Sequence, residues 1–312
     1  MKLIQSFVVA MFAVILFTAC NQVSHKKTPG GMPYKLIAGK GTVKVQKGNI
    51  IKLNYTQEIK DSIYFTTRGK IPFYMPVTDF SNPYDISEII LLLKKGDSVI
   101  ATQMMDTFIK RNPANVPPQF RNGDRIITTI RVIDVFTSDS AARLDEEKEK
   151  SIFLASEINS LSKYLADKKI STQKTPSGTF VQVINPGTGE LVAPGKMISV
   201  NYTGTGFLTG KVFDSNTDTA FHHVEPMTFA VGTGQMIKGF DEAMLFLRPG
   251  AEARIYIPSM LAYGARPNSP DIKEFEHLIF DLKVVDVKDQ QDTQRPAAKE
   301  LQKKLDAAQP NK

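Results

Sequence analysis

Apolar and polar residues alternate along much of this chain in short runs. In the C-terminal half, MISVNYT (197–203), KVFDS (211–215), MTFAV (227–231), ARIYIP (253–258) and HLIFDLKVVDV (277–287) combine β-branched and aromatic residues with polar ones, and Gly, Pro and Asn turns bound them. Because successive side chains of a strand face opposite sides, this pattern predicts a mostly antiparallel sheet. One segment breaks the rhythm. In MIKGFDEAMLFL (236–247), Ile237, Phe240, Met244 and Leu247 recur at helical spacing. A small sheet cannot bury its concave face alone, so this short helix is its natural cover and the expected fold is α+β.

The pattern occurs twice. LNYT and VNYT align Tyr55 with Tyr202, KKGDSV and RPGAEA align Gly96 with Gly250, and RVIDV and KVVDV align Asp134 with Asp286. Three matches in one order at nearly constant separation indicate two copies of one domain, 33–137 and 171–288. Between them, 138–170 reads as a helical linker, with Asp145, Glu146 and Glu147 early and Lys168 and Lys169 at its end, the charge order a helix dipole favours. Its stripe of Leu154, Ile158, Leu161 and Leu165 either packs on a domain or pairs two chains as a homodimer. Residues 289–312 form a polar tail.

At the N-terminus, Lys2 precedes an apolar run over 7–17, too short to span a bilayer but suited to a secretory signal. Ala19 then stands directly before Cys20, the only cysteine, which resembles a lipobox. The expectation is a signal peptide over 1–19, lipidation of Cys20 and a flexible tether over 20–32; ordinary signal cleavage beside an incidental cysteine is the alternative. Asn21 is not the Asp that retains some lipoproteins at an inner membrane, so the expected location is extracytoplasmic, anchored in a bacterial outer membrane and facing the periplasm.

Composition narrows the partners. Of 312 residues, 42% are hydrophobic and 23% charged, as in globular proteins, and the net charge of +7 comes without a basic stripe interleaved with aromatics, which argues against nucleic acid. His222 and His223 are adjacent, with no cysteine or third histidine near, so no metal or cofactor is expected. GTGELVAPGK lacks the Ser or Thr a phosphate loop needs and precedes a strand rather than a helix.

The ordered set YTG (202–204), FDS (213–215), PMTFAVGTGQMIKGFDEA (226–243), LRPG (247–250), AYGA (262–265) and LIFDLKVVDV (278–287) resembles the FKBP-type peptidyl-prolyl cis/trans isomerases. The resemblance covers the second copy and implies two FKBP-like domains, each a half-open sheet around a short helix. It implies a pocket walled by Tyr202, Phe213, Phe229, Phe240, Tyr263 and Phe280, with Asp214 at its edge, Met236 and Ile237 before the helix, and Met227 and Ile272 as further substrate contacts. The Ile237 N–H and the Tyr263 hydroxyl would hold substrate carbonyls. The implied activity is rotation about X–Pro bonds of unfolded or exported polypeptides; a non-catalytic chaperone or adaptor is the alternative.

Departures from the family's pattern are Phe240 in place of the usual floor tryptophan, Met227 in place of an aromatic, DIKEFEH in place of Ile-Pro-Pro, and an insertion at TDTAFHHVE. The first copy departs further. Thr66 takes the place of the acid, Ile86 that of Phe240 and Thr128 that of Phe280, and there is no Ala-Tyr-Gly. That copy is expected to be non-catalytic, serving to bind clients, to dimerise or to act as a spacer.

Overall fold

The computed structural model describes residues 26–289 apart from 80, 112–115 and 117–119. The expected signal peptide, Cys20 and the tail beyond 289 lie outside the described residues, among which no helix is long and apolar enough to cross a membrane. The chain divides into two units, 1–146 and 147–312.

In unit 1, β1 (Lys26–Lys27), β2 (Pro33–Ile37), β3 (Ile50–Ile59), β4 (Ser62–Thr66) and β5 (Phe73–Pro76) precede α1 (Ser87–Ile90). Then come β6 (Ser98–Met104), α2 (Met105–Arg111) and β7 (Arg125–Phe136). The strands form one antiparallel sheet in the order β1-β2-β6-β7-β3-β4, with β5 also paired to β3. Ile51, Leu53, Ile89, Leu93, Val99 and Val132 fill its core.

The second half of the expected tether is ordered here, not a flexible chain. Pro29, Gly30 and Gly31 make a turn that lets β1 pair with β2, Thr28 Oγ1 accepts the Met32 N–H at 3.1 Å, and Met32 is fully buried. Burying one large apolar side chain contributes ~1.5–3 kcal/mol, which adds to the β1–β2 pairing in holding a short polar segment that composition alone marks as loose.

α3 (Asp139–Asp167) is the expected linker helix. Its early Asp145 belongs to unit 1, where it meets Lys52 at 2.6 Å and the Tyr74 hydroxyl at 2.5 Å. Lys168 and Lys169 fall just past the helix end, where Lys169 turns left-handed (φ 56°).

Unit 2 continues with β8 (Gln173–Lys174), β9 (Phe180–Asn185), β10 (Lys196–Gly206), β11 (Val212–Ser215), β12 (Met227–Ala230), α4 (Lys238–Met244), β13 (Glu252–Ile257) and β14 (Leu278–Asp289). The sheet order is β11-β10-β14-β13-β9-β8, with β12 also on β10. Alternation decides the faces: Ile198, Val200 and Tyr202 of β10 and Leu278, Phe280, Leu282 and Val284 of β14 turn into one core, against α4.

The opposite face is covered too. Phe180, Tyr256 and Ile279 sit side by side on β9, β13 and β14, and Leu161 and Leu165 of α3 pack on them. The stripe that could have joined two chains is therefore spent within unit 2, because Tyr256 and Phe180 would otherwise leave a broad apolar face in water.

Candidate functional site

A cavity of about 280 Å³ opens between the unit 2 sheet and the start of α4, lined by Tyr202, Phe213, Asp214, Met227, Gln235, Met236, Ile237, Phe240, Tyr263, Asn268 and Phe280. It lies at the small end of ligand pockets, which begin near roughly 300 Å³.

The walls are a ring cluster centred on Phe280. Its centroid lies 5.0 Å from Phe240, 5.6 Å from Phe213 and 6.0 Å from Tyr202, all tilted or edge-on, the arrangements aromatic quadrupoles favour. These rings close over β10 because position 204 is glycine: a Cβ there would stand 2.6 Å from Phe213 Cζ and 2.9 Å from Phe280 Cε1.

The polar edge is built around Asp214. The Tyr202 hydroxyl donates to Oδ2 at 2.6 Å, and His223 Nε2 lies 2.8 Å from Oδ1. Burial, then the adjacent carboxylate, push the Tyr202 phenol far above its ordinary range, so it remains a donor. Burial likewise raises Tyr263, whose hydroxyl has Asn268 as a partner. Ile237 is the residue that enters α4, so its N–H is among the donors a helix start leaves without an intrahelical acceptor. Buried Asn216 pins the strand beside Asp214, accepting the Tyr202 N–H and donating to the carbonyls of Val200 and Glu225.

The structure thus brings together Tyr202, Phe213, Asp214, Ile237, Tyr263, Phe280, Met227, Met236 and Phe240. Phe229 and Ile272 are exceptions: they do not line the cavity. Both are buried in the core, where they pack with the other apolar residues of unit 2, and the Phe229 ring centroid lies 6.0 Å from that of Phe240.

Sequence reasoning missed Gln235, Asn268 and His223. The insertion supplies the last: Asp218 caps a 3₁₀ turn over Thr219–Phe221, His222 adopts φ 61°, and the chain reverses to aim His223 at Asp214. It also missed Glu157 of α3. That buried carboxylate accepts from the Ser259 hydroxyl and, at 3.1 Å, from the Met260 N–H, at the start of the loop that carries Tyr263. His277 Nδ1 accepts the Ser259 N–H at 3.2 Å. Only the spacing of α3 against this loop could have revealed the contact, and no local pattern encodes it.

In unit 1 the register corrects one equivalence. Thr203 pairs with Ser215 and Gly204 with Asp214, while Thr56 pairs with Thr66 and Gln57 with Phe65. Phe65, not Thr66, therefore occupies the position of the acid, since Thr66 lies opposite β3 as Ser215 lies opposite β10. Gln57 pairs with Thr128 as Gly204 pairs with Phe280, so Thr128 does replace that aromatic.

Residues 189–285 match the family described as FKBP-type peptidyl-prolyl cis-trans isomerase. The peptidyl-prolyl cis-trans isomerase FPR2 of Saccharomyces cerevisiae is 38% identical over 95 residues, 30% of this chain and 67% of that protein. FK506-binding protein 4 of Mycosarcoma maydis is 37% identical over 120 residues, 38% of this chain and 30% of that protein, so the chain spans under a third of that relative. A solved peptidyl-prolyl cis-trans isomerase of Pseudomonas syringae aligns at a TM-score of 0.35 with 26% identity, covering 43% of this chain and 95% of that one. Through the segment that builds the aromatic cavity, this chain belongs to the FKBP-type peptidyl-prolyl cis-trans isomerase family.

Proposed function

We propose that unit 2 catalyses cis/trans isomerisation of X–Pro bonds in unfolded or exported polypeptides. An X–Pro amide resists rotation with a barrier of about 18–20 kcal/mol because resonance gives its C–N bond double-bond character. The twisted transition state has lost that resonance and is less charge-separated than the planar amide, so an apolar cavity favours it over water. Phe240 and Phe280 supply the floor, Phe213 and Tyr202 the walls, and the prolyl ring enters between them. The Ile237 N–H and the Tyr263 hydroxyl hold flanking carbonyls, and Asp214 orients the edge through Tyr202. No nucleophile is required.

The observation that carries this reading is one carboxylate, bonded to a buried phenol, at the lip of a cavity walled by aromatic rings. The test is a proline-peptide isomerisation assay on the whole chain beside Asp214→Ala and Tyr263→Phe. A rate above buffer that both variants reduce supports the proposal. A wild-type rate equal to buffer, with suppressed aggregation of an unfolded client, favours a chaperone instead.

The leader pattern supports a companion proposal, that Cys20 is lipidated and anchors the protein on an extracytoplasmic membrane face, in an outer membrane toward the periplasm. Cys20→Ser should then move the protein from the membrane fraction to the soluble one; unchanged fractionation refutes it.

A further inference from the structure

The outer face of the unit 1 sheet carries a second hollow, of about 310 Å³, lined by Asn54, Thr56, Arg68, Thr129 and Arg131. Its lining contains two guanidinium groups and no carboxylate. Among the described residues neither Arg68 nor Arg131 has an ion pair, whereas Lys52, one step back along this face of β3, is neutralised by Asp145.

The duplicated domain provides an internal control. Unit 2 has a hollow of the same size at the equivalent place, lined in part by Asn201, Thr203, Thr217, Glu252, Asp281 and Lys283. There each cation meets an acid: Lys283 reaches Glu252 at 2.9 Å, and Arg254 grips Asp281 at 2.6 and 2.9 Å. Strand register shows what changed. Arg131 pairs with Ser98 as Lys283 pairs with Glu252, and Thr129 pairs with Ile100 as Asp281 pairs with Arg254. Unit 1 has thus kept the cation at 131, lacks both acids, and has Arg68 where Thr217 stands. A guanidinium presents a planar fork of donors matched to phosphate oxygens, and threonine hydroxyls and an amide add further partners.

We propose that this hollow binds a phosphate or phosphomonoester group, which gives the copy that has Thr128 in place of Phe280 a binding role of its own. The group is held between Arg68 and Arg131, with Thr129 and Asn54 beside it.

The test titrates inorganic phosphate into the ¹⁵N-labelled whole chain and follows backbone amide shifts, alongside flotation with vesicles of phosphatidic acid in phosphatidylcholine. Saturable shifts at Thr56, Arg68 and Thr129 are expected. Arg131→Gln should weaken binding about tenfold, and Ser98→Glu, which restores the unit 2 arrangement without removing either arginine, should do the same. Lys283→Gln should leave it unchanged. Vesicle binding that excess phosphate reverses identifies a lipid headgroup as the source; phosphate binding without flotation identifies a soluble phosphate compound. Absence of saturable shifts at these residues, or shifts that Ser98→Glu leaves in place, overturns the proposal.

Discussion

Tyr202 donates its phenol proton to Asp214 across 2.6 Å, and the same ring forms a wall of the cavity 6.0 Å from Phe280. One side chain is therefore both apolar surface and polar anchor. Hydrogen bonds to a charged group contribute about 1.5–3 kcal/mol, so Tyr202→Phe and Asp214→Ala should each lower kcat/KM by roughly ten- to a hundredfold. Because each removes the same bond, the double variant should lose little more than either single one. Additive losses in a double-mutant cycle would separate the two residues.

His223 occupies the other oxygen of Asp214 from an exposed position on the insertion. Exposed pairs of this kind are worth about 0.2–1 kcal/mol, so His223→Ala should change kcat/KM by no more than roughly fivefold and shift the thermal midpoint by at most about 2–4 °C. A loss as large as that of Asp214→Ala would make His223 an equal partner in the site.

Gly204 leaves room for two rings. Gly204→Ala drives a methyl group to within van der Waals overlap of Phe213 and Phe280, and overpacking of this kind costs about 1–3 kcal/mol. The expected result is a folded protein with reduced stability in denaturant and a lower kcat/KM. Unchanged activity would mean that the rings move aside freely.

Glu157 couples α3 to the loop bearing Tyr263. Glu157→Ala strands the Ser259 hydroxyl and the Met260 N–H, at a cost of about 1–3 kcal/mol. Burial raises the Glu157 carboxyl above the ordinary 4.5, so its contribution favours the folded state at acid pH and is lost as pH rises through the raised value. Burial lowers His277 below the ordinary 6.5, so its contribution is present above that value and is lost as pH falls through the depressed one. Glu157→Gln removes the first effect: wild type should gain stability relative to this variant as pH drops from neutrality toward 4.5. Parallel stability curves would contradict that assignment.

Leu161 and Leu165 cover Phe180 and Tyr256, so unit 2 includes the second half of the linker helix. A fragment of residues 171–289 should be less stable in urea than one of residues 147–289, by ~1.5–3 kcal/mol for each leucine it loses. Equal midpoints would show the helix to be dispensable.

Much of this molecule is written locally. The period-two runs around Tyr202 and Phe280 specify strands whatever else the chain does, and the recurrence of Tyr55, Gly96 and Asp134 as Tyr202, Gly250 and Asp286 specifies two copies of one sheet. The resemblance of the ordered motifs to the FKBP-type family also marks Phe213, Asp214, Ile237 and Tyr263 as a set. Other features depend on which surfaces meet in space. Ile272 and Phe229 have the same apolar character as Phe240, and packing alone puts them behind the cavity rather than in it. Met32 sits in a segment whose composition is that of a loose tether, yet strand pairing buries it. Glu157 reaches Ser259 across 102 residues of sequence, and His223 meets Asp214 just after His222 adopts a left-handed conformation. Sequence fixes what each residue can do over a few neighbours; burial, register and long-range contact arise only when distant segments exclude water together, and no single segment contains that information.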